Sequence, residues 1–421
     1  MHLAASAVLA LLPSAAAQDP APPAAASGCV QVPLDHGQPS GPAAAITYEL
    51  GAAFDHGKPT VLVVADAQQF HLRPGALAAL QQDQFGDACN VVGIVRSRGT
   101  VDAFLAAARG ADGQVDWTAA YRLFRSGQWV EDLEAVRVQL LGAGGQVSLY
   151  GASGGALLAA EYLQRHGDKV ARAFLAAPVM PALVGECGLA SDRFWKEIGA
   201  VPGLQPKLLG ALAAHAGERR RVLLTLQRQN FFVAPAQLAA ARGTLIEALA
   251  AGDEAAFGNA RRDYQVEAIE GLLDGPLGAP IRVREFEFVQ PCGELARLRP
   301  DECHPNIEVQ REAAAPLLAL AAAGRIEPLA AVWPGLHGLA AEVFVLAGRW
   351  DHTVDYRTAI AFAASIPHHC LFLADDDHMF ARLGRDRADR RLQRAFLAHG
   401  LQSPELQAAL AAAAPCRWRE Q

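Results

Sequence analysis

The chain has 421 residues, of which 52% are hydrophobic and 19% are charged, so it carries enough apolar side chains to bury a large core. That composition excludes an intrinsically disordered protein. The formal net charge of −7 argues against general binding of nucleic acid, which depends on an excess of positive charge.

The first residues have the features of a secretory signal peptide. An apolar run from Leu3 to Leu12 is followed by a proline and by Ala-x-Ala at 15–17, which predicts cleavage before Gln18. The alternative interpretation is a buried alanine-rich helix, since no Lys or Arg precedes the run. No later apolar stretch reaches the ~18 uninterrupted residues that cross a bilayer. We therefore expect a secreted or periplasmic protein without a membrane partner, in which 18–28 form a Pro/Ala-rich leader.

Short apolar runs bounded by turn residues predict a mostly parallel sheet. Residues 29–50 have the pattern of two early strands joined by a Gly- and Pro-rich turn. Later runs alternate with segments of helical spacing, which is typical of buried parallel strands with connecting helices. These runs are TVLVVA at 60–65, NVVGIV at 90–95, QVSLY at 146–150, KVARAFLAAP at 169–178, AEVFVLAG at 341–348 and HCLFLA at 369–374.

The centre of the chain has a different pattern. From about 179 to 339 the apolar residues follow mostly helical spacing, with no comparable series of strands. We therefore predict an α/β core, formed by 29–178 and 340–421, into which a large helical cap is inserted at 179–339. The cap precedes the strand at 341–348.

The segment GASGG at 151–155 fits the pattern Gly-x-Ser-x-Gly and lies between a predicted strand and a predicted helix. In such a turn the glycines let the helix cross close to the strand, and the serine hydroxyl projects above the sheet. Ser153 is therefore the predicted nucleophile. The alternative is that the glycines only relieve crowding at a tight turn.

Two later strand ends supply a candidate acid and a candidate base. Asp351 lies three residues beyond the glycine that ends one strand, and His378 lies in the loop after the next strand. His378 would take the proton of Ser153, while Asp351 would fix the imidazole tautomer. Asp355 is the alternative acid. The acidic run 375–377 is expected to be solvated.

With these residues placed, the chain resembles the α/β-hydrolase superfamily, and within it the secreted proline iminopeptidase and tripeptidyl aminopeptidase group. The resemblance spans about 29–399. It is carried by CVQVPLDHGQPSG from Cys29, RGT at 98–100, the long segment EDLEAVRVQLLGAGGQVSLYGASGGALLAAEYLQRHGDKVARAFLAAP, LAGRWD and DDDHMF. It implies an α/β-hydrolase fold with a catalytic triad of Ser153, Asp351 and His378.

The resemblance also implies an oxyanion hole and an anchor for the substrate. The backbone N–H of Gly154 would be one oxyanion donor. The second donor follows the first parallel strand, where the family has a His-Gly-Gly-Pro-Gly-like sequence and this chain has ADAQQF. Asp66 and Ala67 are the candidates there, and the missing glycines put the position of that donor in question. Acidic residues of the family's cap bind a free α-amino group, and Glu294 is the candidate here.

The cysteine count permits disulfides in an oxidising compartment. All seven cysteines lie in the predicted mature chain, and Cys292 and Cys303 are the pair most easily bridged, because a short loop separates them.

The sequence thus predicts a secreted serine hydrolase that acts without a cofactor. We expect an aminopeptidase that releases N-terminal residues or short peptides through an acyl-enzyme. The alternatives are an esterase of the same fold, with a small ester as substrate, and a non-catalytic binding protein. No His-Glu-x-x-His sequence indicates a zinc site, and no Gly-x-x-x-x-Gly-Lys sequence indicates a nucleotide site.

Overall fold

The computed structural model describes residues 27–67, 72–190, 193–327 and 336–418. The predicted signal peptide at 1–17 and most of the predicted leader at 18–28 lie outside the described residues. No helix among those described is both long enough and apolar enough to span a bilayer.

An eight-stranded sheet lies at the centre of the fold, in the order β1-β2-β4-β3-β5-β6-β7-β8. The pairs β1/β2 and β2/β4 are antiparallel, and all the other pairs are parallel. This topology confirms the predicted α/β-hydrolase fold. The strands are β1 (Ser27–Pro33), β2 (Ala43–Leu50), β3 (Thr60–Val64), β4 (Asn90–Arg96), β5 (Val147–Ala152), β6 (Val170–Ala176), β7 (Glu342–Gly348) and β8 (His369–Ala374).

Helices connect the strands, and the segment between β6 and β7, which we call the cap, is helical. The helices of the first core part are α1 (Leu77–Leu80), α2 (Asp102–Ala107), α3 (Trp117–Phe124), α4 (Ser126–Leu141) and α5 (Gly154–His166). The cap contains α6 (Pro181–Glu186), α7 (Phe194–Gly199), α8 (Leu204–Ala214), α9 (Arg219–Phe232), α10 (Pro235–Ala250), α11 (Glu254–Asp263), α12 (Val266–Asp274), α13 (Gly278–Val289) and α14 (Pro305–Ala322). The second core part adds α15 (Tyr356–Ala364), α16 (Ala381–Arg385), α17 (Ala388–His399) and α18 (Pro404–Ala413).

Both faces of the sheet are buried, which explains why its strands are continuously apolar. Alternate residues of β3 point to opposite faces, so Leu62 and Val64 join one hydrophobic cluster while Val61 and Val63 join another. The first cluster includes side chains of α4, α5 and α15, and the second includes side chains of α17 and α18. The sheet is therefore a layer between two layers of helices.

The cap has a hydrophobic core of its own, but α13 is an exception. Side chains of α8, α9 and α10 form a separate cluster within the cap. In contrast, Val283, Phe286 and Val289 of α13 belong to the main core cluster, and the ring of Phe286 packs edge-on against Tyr121 of α3 at 5.5 Å. Helix α13 thus anchors the cap in the core.

A buried ion pair joins the chain after β4 to α4. Arg98 is fully buried, and its Nε and Nη2 atoms each donate to a carboxylate oxygen of Asp132 at 2.7 Å. The third guanidinium nitrogen, Nη1, donates to the carbonyl oxygens of Leu34 and Leu123. The ring of His36 also contacts Asp132 at 2.8 Å. The RGT segment and the CVQVPLDHG segment therefore meet at one structural site.

We expect Asp132→Ala to lower the free energy of unfolding by about 3–5 kcal/mol, because it leaves the Arg98 charge buried without its partner. Urea denaturation followed by circular dichroism measures this loss. The control is Glu131→Ala on the same helix, which removes a partly exposed pair with Arg165 and should cost less than about 1 kcal/mol. Equal losses in the two variants would contradict the structural role given to Arg98.

Candidate active site

Ser153 occupies the turn between β5 and α5 in a backbone conformation that L-residues rarely adopt. Its φ is 52° and its ψ is −123°, and its N–H donates to the carbonyl oxygen of Ala176 at the end of β6. A side chain at Gly151 is excluded, because an added Cβ would lie 2.6 Å from the carbonyl oxygen of Gly155. The glycine therefore lets the helix cross close to the strand while Ser153 is held above the sheet.

The structure brings together the three side chains of the predicted triad from the ends of β5, β7 and β8. The Nε2 atom of His378 lies 3.2 Å from Ser153 Oγ, and its Nδ1 atom lies 2.6 Å from Asp351 Oδ2. The other carboxylate oxygen of Asp351 accepts hydrogen bonds from the N–H groups of Thr353 and Val354 at 2.7 and 2.8 Å. Asp351 is thus held in place from two sides, and it can orient the imidazole.

The surroundings of His378 favour a proton on the ring. Burial lowers the pKa of His378, but the charge of Asp351 and its hydrogen bond oppose this effect, and the net result is a raised pKa. The ring of Phe231, from α9 of the cap, packs edge-on against the imidazole at 5.5 Å. A cap side chain therefore shields the candidate base from water.

The other acidic residues near the triad have structural roles. Asp355, the alternative acid, caps α15 by accepting from the N–H of Arg357 and forms an ion pair with the same residue. The expectation that 375–377 is solvated is wrong for Asp376 and Asp377, which are buried. Both accept backbone hydrogen bonds at the start of α16, including one from Leu383 to Asp376. These N–H groups have no partner within the helix and oppose part of the effect of burial, which still raises the pKa of Asp376 to about 6 and also raises that of Asp377.

The loop after β3 places a carboxylate directly beside the predicted oxyanion donor. Asp66 is buried, and a Cβ added to Gly154 would collide with Asp66 Oδ2. Ala67 is half-buried and packs against the main core cluster. Residues 68–71 lie outside the described chain. The N–H of Gly154, with that of Asp66 or Ala67, stays the predicted pair of oxyanion donors, and the Asp66 carboxylate lies close to Gly154.

The sequence analysis missed Arg284, which comes from α13 of the cap and contacts this carboxylate. Its Nε lies 3.1 Å from Asp66 Oδ2, its Nη1 lies 2.7 Å from Glu287 Oε2, and its Nη2 donates to the carbonyl oxygen of Gly154 at 2.8 Å. The guanidinium also lies over the ring of Phe288. The sequence did not single it out, because Arg284 is one of four charged residues in α13. One buried cation thus joins the cap, the oxyanion loop and the elbow helix.

Several carboxyl groups share this single cation. Burial raises the pKa of Glu161 to about 7 and that of Glu285 to about 8, and it also raises the pKa of Glu287. The positive charge of Arg284 opposes these shifts without cancelling them. Some of these carboxyls therefore retain their protons near neutral pH.

Ser153 opens into a cavity between the core and the cap. Its walls are mostly apolar and include side chains of α6, α9, α12 and α13. The apolar lining comprises Val179, Met180, Pro181, Val184, Leu224, Phe231, Ile269, Leu272, Leu273, Ile281, Phe288, Val309 and Val354, and the polar lining includes Gln227, Arg228, Glu285, Asn306 and Gln310. A few polar groups in an apolar enclosure are typical of a small-molecule site.

Among the described glutamates of the cap, Glu285 lines this cavity and Glu294 does not. Glu294 is buried at the start of a short 3₁₀ turn, and Cys292 Sγ donates to its Oε2 atom at 3.5 Å. The bridge between Cys292 and Cys303 that the sequence permits is not formed, because Cys292 is a free thiol. Burial raises the pKa of this thiol to about 12. Cys292 and Cys303 are close in the sequence, but Cys292 lines the cavity and contacts Glu294.

Comparison with known proteins gave matches only among solved structures. No family model and no curated protein matches the chain. A bromoperoxidase from Bacillus anthracis is 15% identical, with 89% of this chain and 100% of that chain covered and a TM-score of 0.43. An esterase from Exiguobacterium antarcticum is 14% identical, with 84% of this chain and 96% of that chain covered and a TM-score of 0.42. An esterase from Rhodococcus sp. ECU1013 is 18% identical, with 84% of this chain and 95% of that chain covered and a TM-score of 0.42. Likeness at this level does not identify a reaction or a substrate.

The state of His378 predicts how the reactivity of Ser153 depends on pH. His378 accepts a proton only when it is neutral, so labelling of Ser153 by a fluorophosphonate should slow as pH falls, with a midpoint above the ordinary histidine pKa of 6.5. Labelling rates between pH 5 and 9 measure this midpoint. In Asp351→Asn the midpoint should move to lower pH, because the Asp351 charge no longer opposes the effect of burial on the pKa of His378. The maximal labelling rate should also fall roughly 10⁴-fold. A wild-type midpoint at or below 6.5 would contradict the geometry.

Proposed function

We propose that this protein is a serine hydrolase that cleaves small acyl substrates through a covalent acyl-enzyme. The observation that carries the proposal is the continuous hydrogen-bond chain from Ser153 through His378 to Asp351, with Ser153 on a strained turn that opens into the cap cavity. We also propose that the protein is exported, on the basis of the apolar run and Ala-x-Ala sequence at its N-terminus.

The geometry supports a two-step reaction. Ser153 Oγ attacks the substrate carbonyl while His378 Nε2 takes the hydroxyl proton, and the N–H of Gly154 stabilises the oxyanion together with an N–H of the loop at 66–67. The tetrahedral intermediate collapses when His378 returns the proton to the leaving group. A water molecule then attacks the acyl-enzyme, with His378 again as base, and Ser153 is released with the acid product.

An aminopeptidase is the finer form of this proposal, and Glu285 takes the role that the sequence assigned to Glu294. Glu285 lines the same cavity as Ser153, and the side chain of Gln310 hydrogen-bonds to it. Burial raises its pKa to about 8, although Gln310 and the charges of Arg284 and Arg282 oppose this shift. The ammonium group of a bound substrate would stabilise the carboxylate, which makes the free N-terminus a recognition element.

An esterase is the second candidate, and the apolar character of the cavity favours it. Side chains such as Met180, Leu224 and Ile269 offer a wall that suits an acyl chain as well as an apolar amino-acid side chain. Both candidate activities use the same triad. The chemistry of the scissile bond and the state of the N-terminus separate them.

The decisive measurement is hydrolysis of amino-acid anilides with free and with acetylated N-termini, alongside an acyl ester. We expect the wild type to prefer the free-amine anilides, and Ser153→Ala to lose roughly 10⁶-fold in turnover because the nucleophile is missing. Turnover of the ester alone would favour the esterase. Failure of Ser153 to react with a fluorophosphonate, together with no turnover, would favour a non-catalytic binding protein.

The role of Glu285 is tested by Glu285→Gln, for which we expect KM for a free-amine anilide to rise at least ~10-fold and KM for the acetylated one to stay unchanged. Since Glu285 must lose a proton to pair with an ammonium group, the wild-type KM should fall as pH rises from 6 to about 8. The matched control is Glu294→Gln, a buried cap glutamate outside the lining. A selective effect in Glu294→Gln instead would support the assignment made from sequence.

A further inference from the structure

The cap cavity also contains a cationic side chain that pairs with no carboxylate of the described residues. Arg228 of α9 is 2% exposed and lines the same cavity as Ser153. Its Nε donates to the carbonyl oxygen of Tyr264 at 3.0 Å, but its Nη2 is buried with no hydrogen-bond partner among the described residues. Burial lowers the pKa of Arg228 to about 10, and no carboxylate in the described part of the chain opposes the effect. The side chain is still charged at neutral pH.

Arg228 differs from the other arginines that are buried to this degree, because each of those pairs with a carboxylate. Arg98, Arg137 and Arg242 each contact a carboxylate, and the partners are Asp132, Glu134 and Glu197 respectively. Burying a charge without a partner is strongly unfavourable. An arginine that stays unpaired in a cavity beside a candidate nucleophile is therefore explained best by an anion that arrives with the ligand.

The position of Arg228 ties this anion to the molecule bound at Ser153. The Arg228 guanidinium lies 5.4 Å from the centre of the Phe231 ring and 4.9 Å from that of Phe232. The same Phe231 ring lies 5.5 Å from the His378 imidazole. One aromatic ring therefore separates the cation from the candidate base.

We propose that Arg228 binds the terminal carboxylate of the substrate, so that the preferred substrates are short peptides with both termini free. This rests on the proposed function. The planar guanidinium can donate two parallel hydrogen bonds to a carboxylate. Glu285, in the same cavity, supplies the opposite charge for the N-terminal ammonium group. The guanidinium and the imidazole each lie within 5.5 Å of the centre of the Phe231 ring. Since an extended peptide advances ~3.3–3.6 Å per residue, a leaving group of at most about three residues can join these two groups.

Binding of trialanine and of trialanine amide to the full-length Ser153→Ala variant tests this proposal without turnover. Isothermal titration calorimetry should show at least ~10-fold tighter binding of the free acid than of the amide. Adding Arg228→Met to Ser153→Ala should abolish this difference by weakening only the free acid. The control is Arg221→Met on the same helix, an exposed arginine paired with Glu270, which should preserve the difference.

A stability measurement separates ligand recognition from a structural role. Methionine keeps an apolar stem against Phe231 and Phe232 and removes the unpaired charge, so the thermal midpoint of Arg228→Met should be unchanged or higher. If Arg228 were required for packing, the midpoint would fall and the affinities for both peptides would fall together. That result would overturn the proposal.

The remaining outcomes are also informative. Equal affinity for the acid and the amide, or no binding of either peptide, would overturn the proposal, as would tighter binding of Ala-Ala-Asp amide, whose only carboxylate is a side chain. An Arg228-dependent preference for the acid in a protein without serine-dependent turnover would leave the carboxylate site standing and refute the hydrolase. Serine-dependent turnover without a preference for the acid would refute the carboxylate site alone.

Discussion

The contact on which the candidate site depends is the buried guanidinium of Arg284. It approaches Asp66 at 3.1 Å and Glu287 at 2.7 Å, and it donates to the carbonyl oxygen of Gly154 at 2.8 Å. Without this cation, the loop after β3 would hold a buried carboxylate against the elbow, where negative charge opposes an oxyanion. Because Arg284 belongs to α13, the cap is part of the electrostatic construction of the site and is anchored in the core.

The same balance between burial and charge governs the rest of the cavity. Where a partner is present, as for His378 beside Asp351, the charged form is favoured despite burial. Where partners are few, as for Glu285, burial prevails and the pKa rises. Arg228 is the extreme case, since burial alone shifts its pKa. The apolar walls make each of these charges sensitive to a ligand, because a single opposite charge counts for more in a low dielectric.

Helix α9 of the cap connects these features to the chemistry. Its Phe231 ring packs against the His378 imidazole on one side and contacts the Arg228 guanidinium on another. The ring therefore covers one side of the base and lies next to the guanidinium. One helix thus both shields the base and carries a charged group into a mostly apolar cavity.

The sequence by itself determined the strands, the fold and the order of the triad, because these depend on local patterns. Alternating apolar runs predict buried strands, Gly151 and Gly155 predict the tight turn at Ser153, and strand ends mark Asp351 and His378. Only the tertiary structure decided which cap glutamate faces the cavity, that Asp376 and Asp377 are buried, that Cys292 is a thiol, and that Arg284 meets Asp66. Burial and charge pairing join residues more than a hundred positions apart, so no local pattern can predict them.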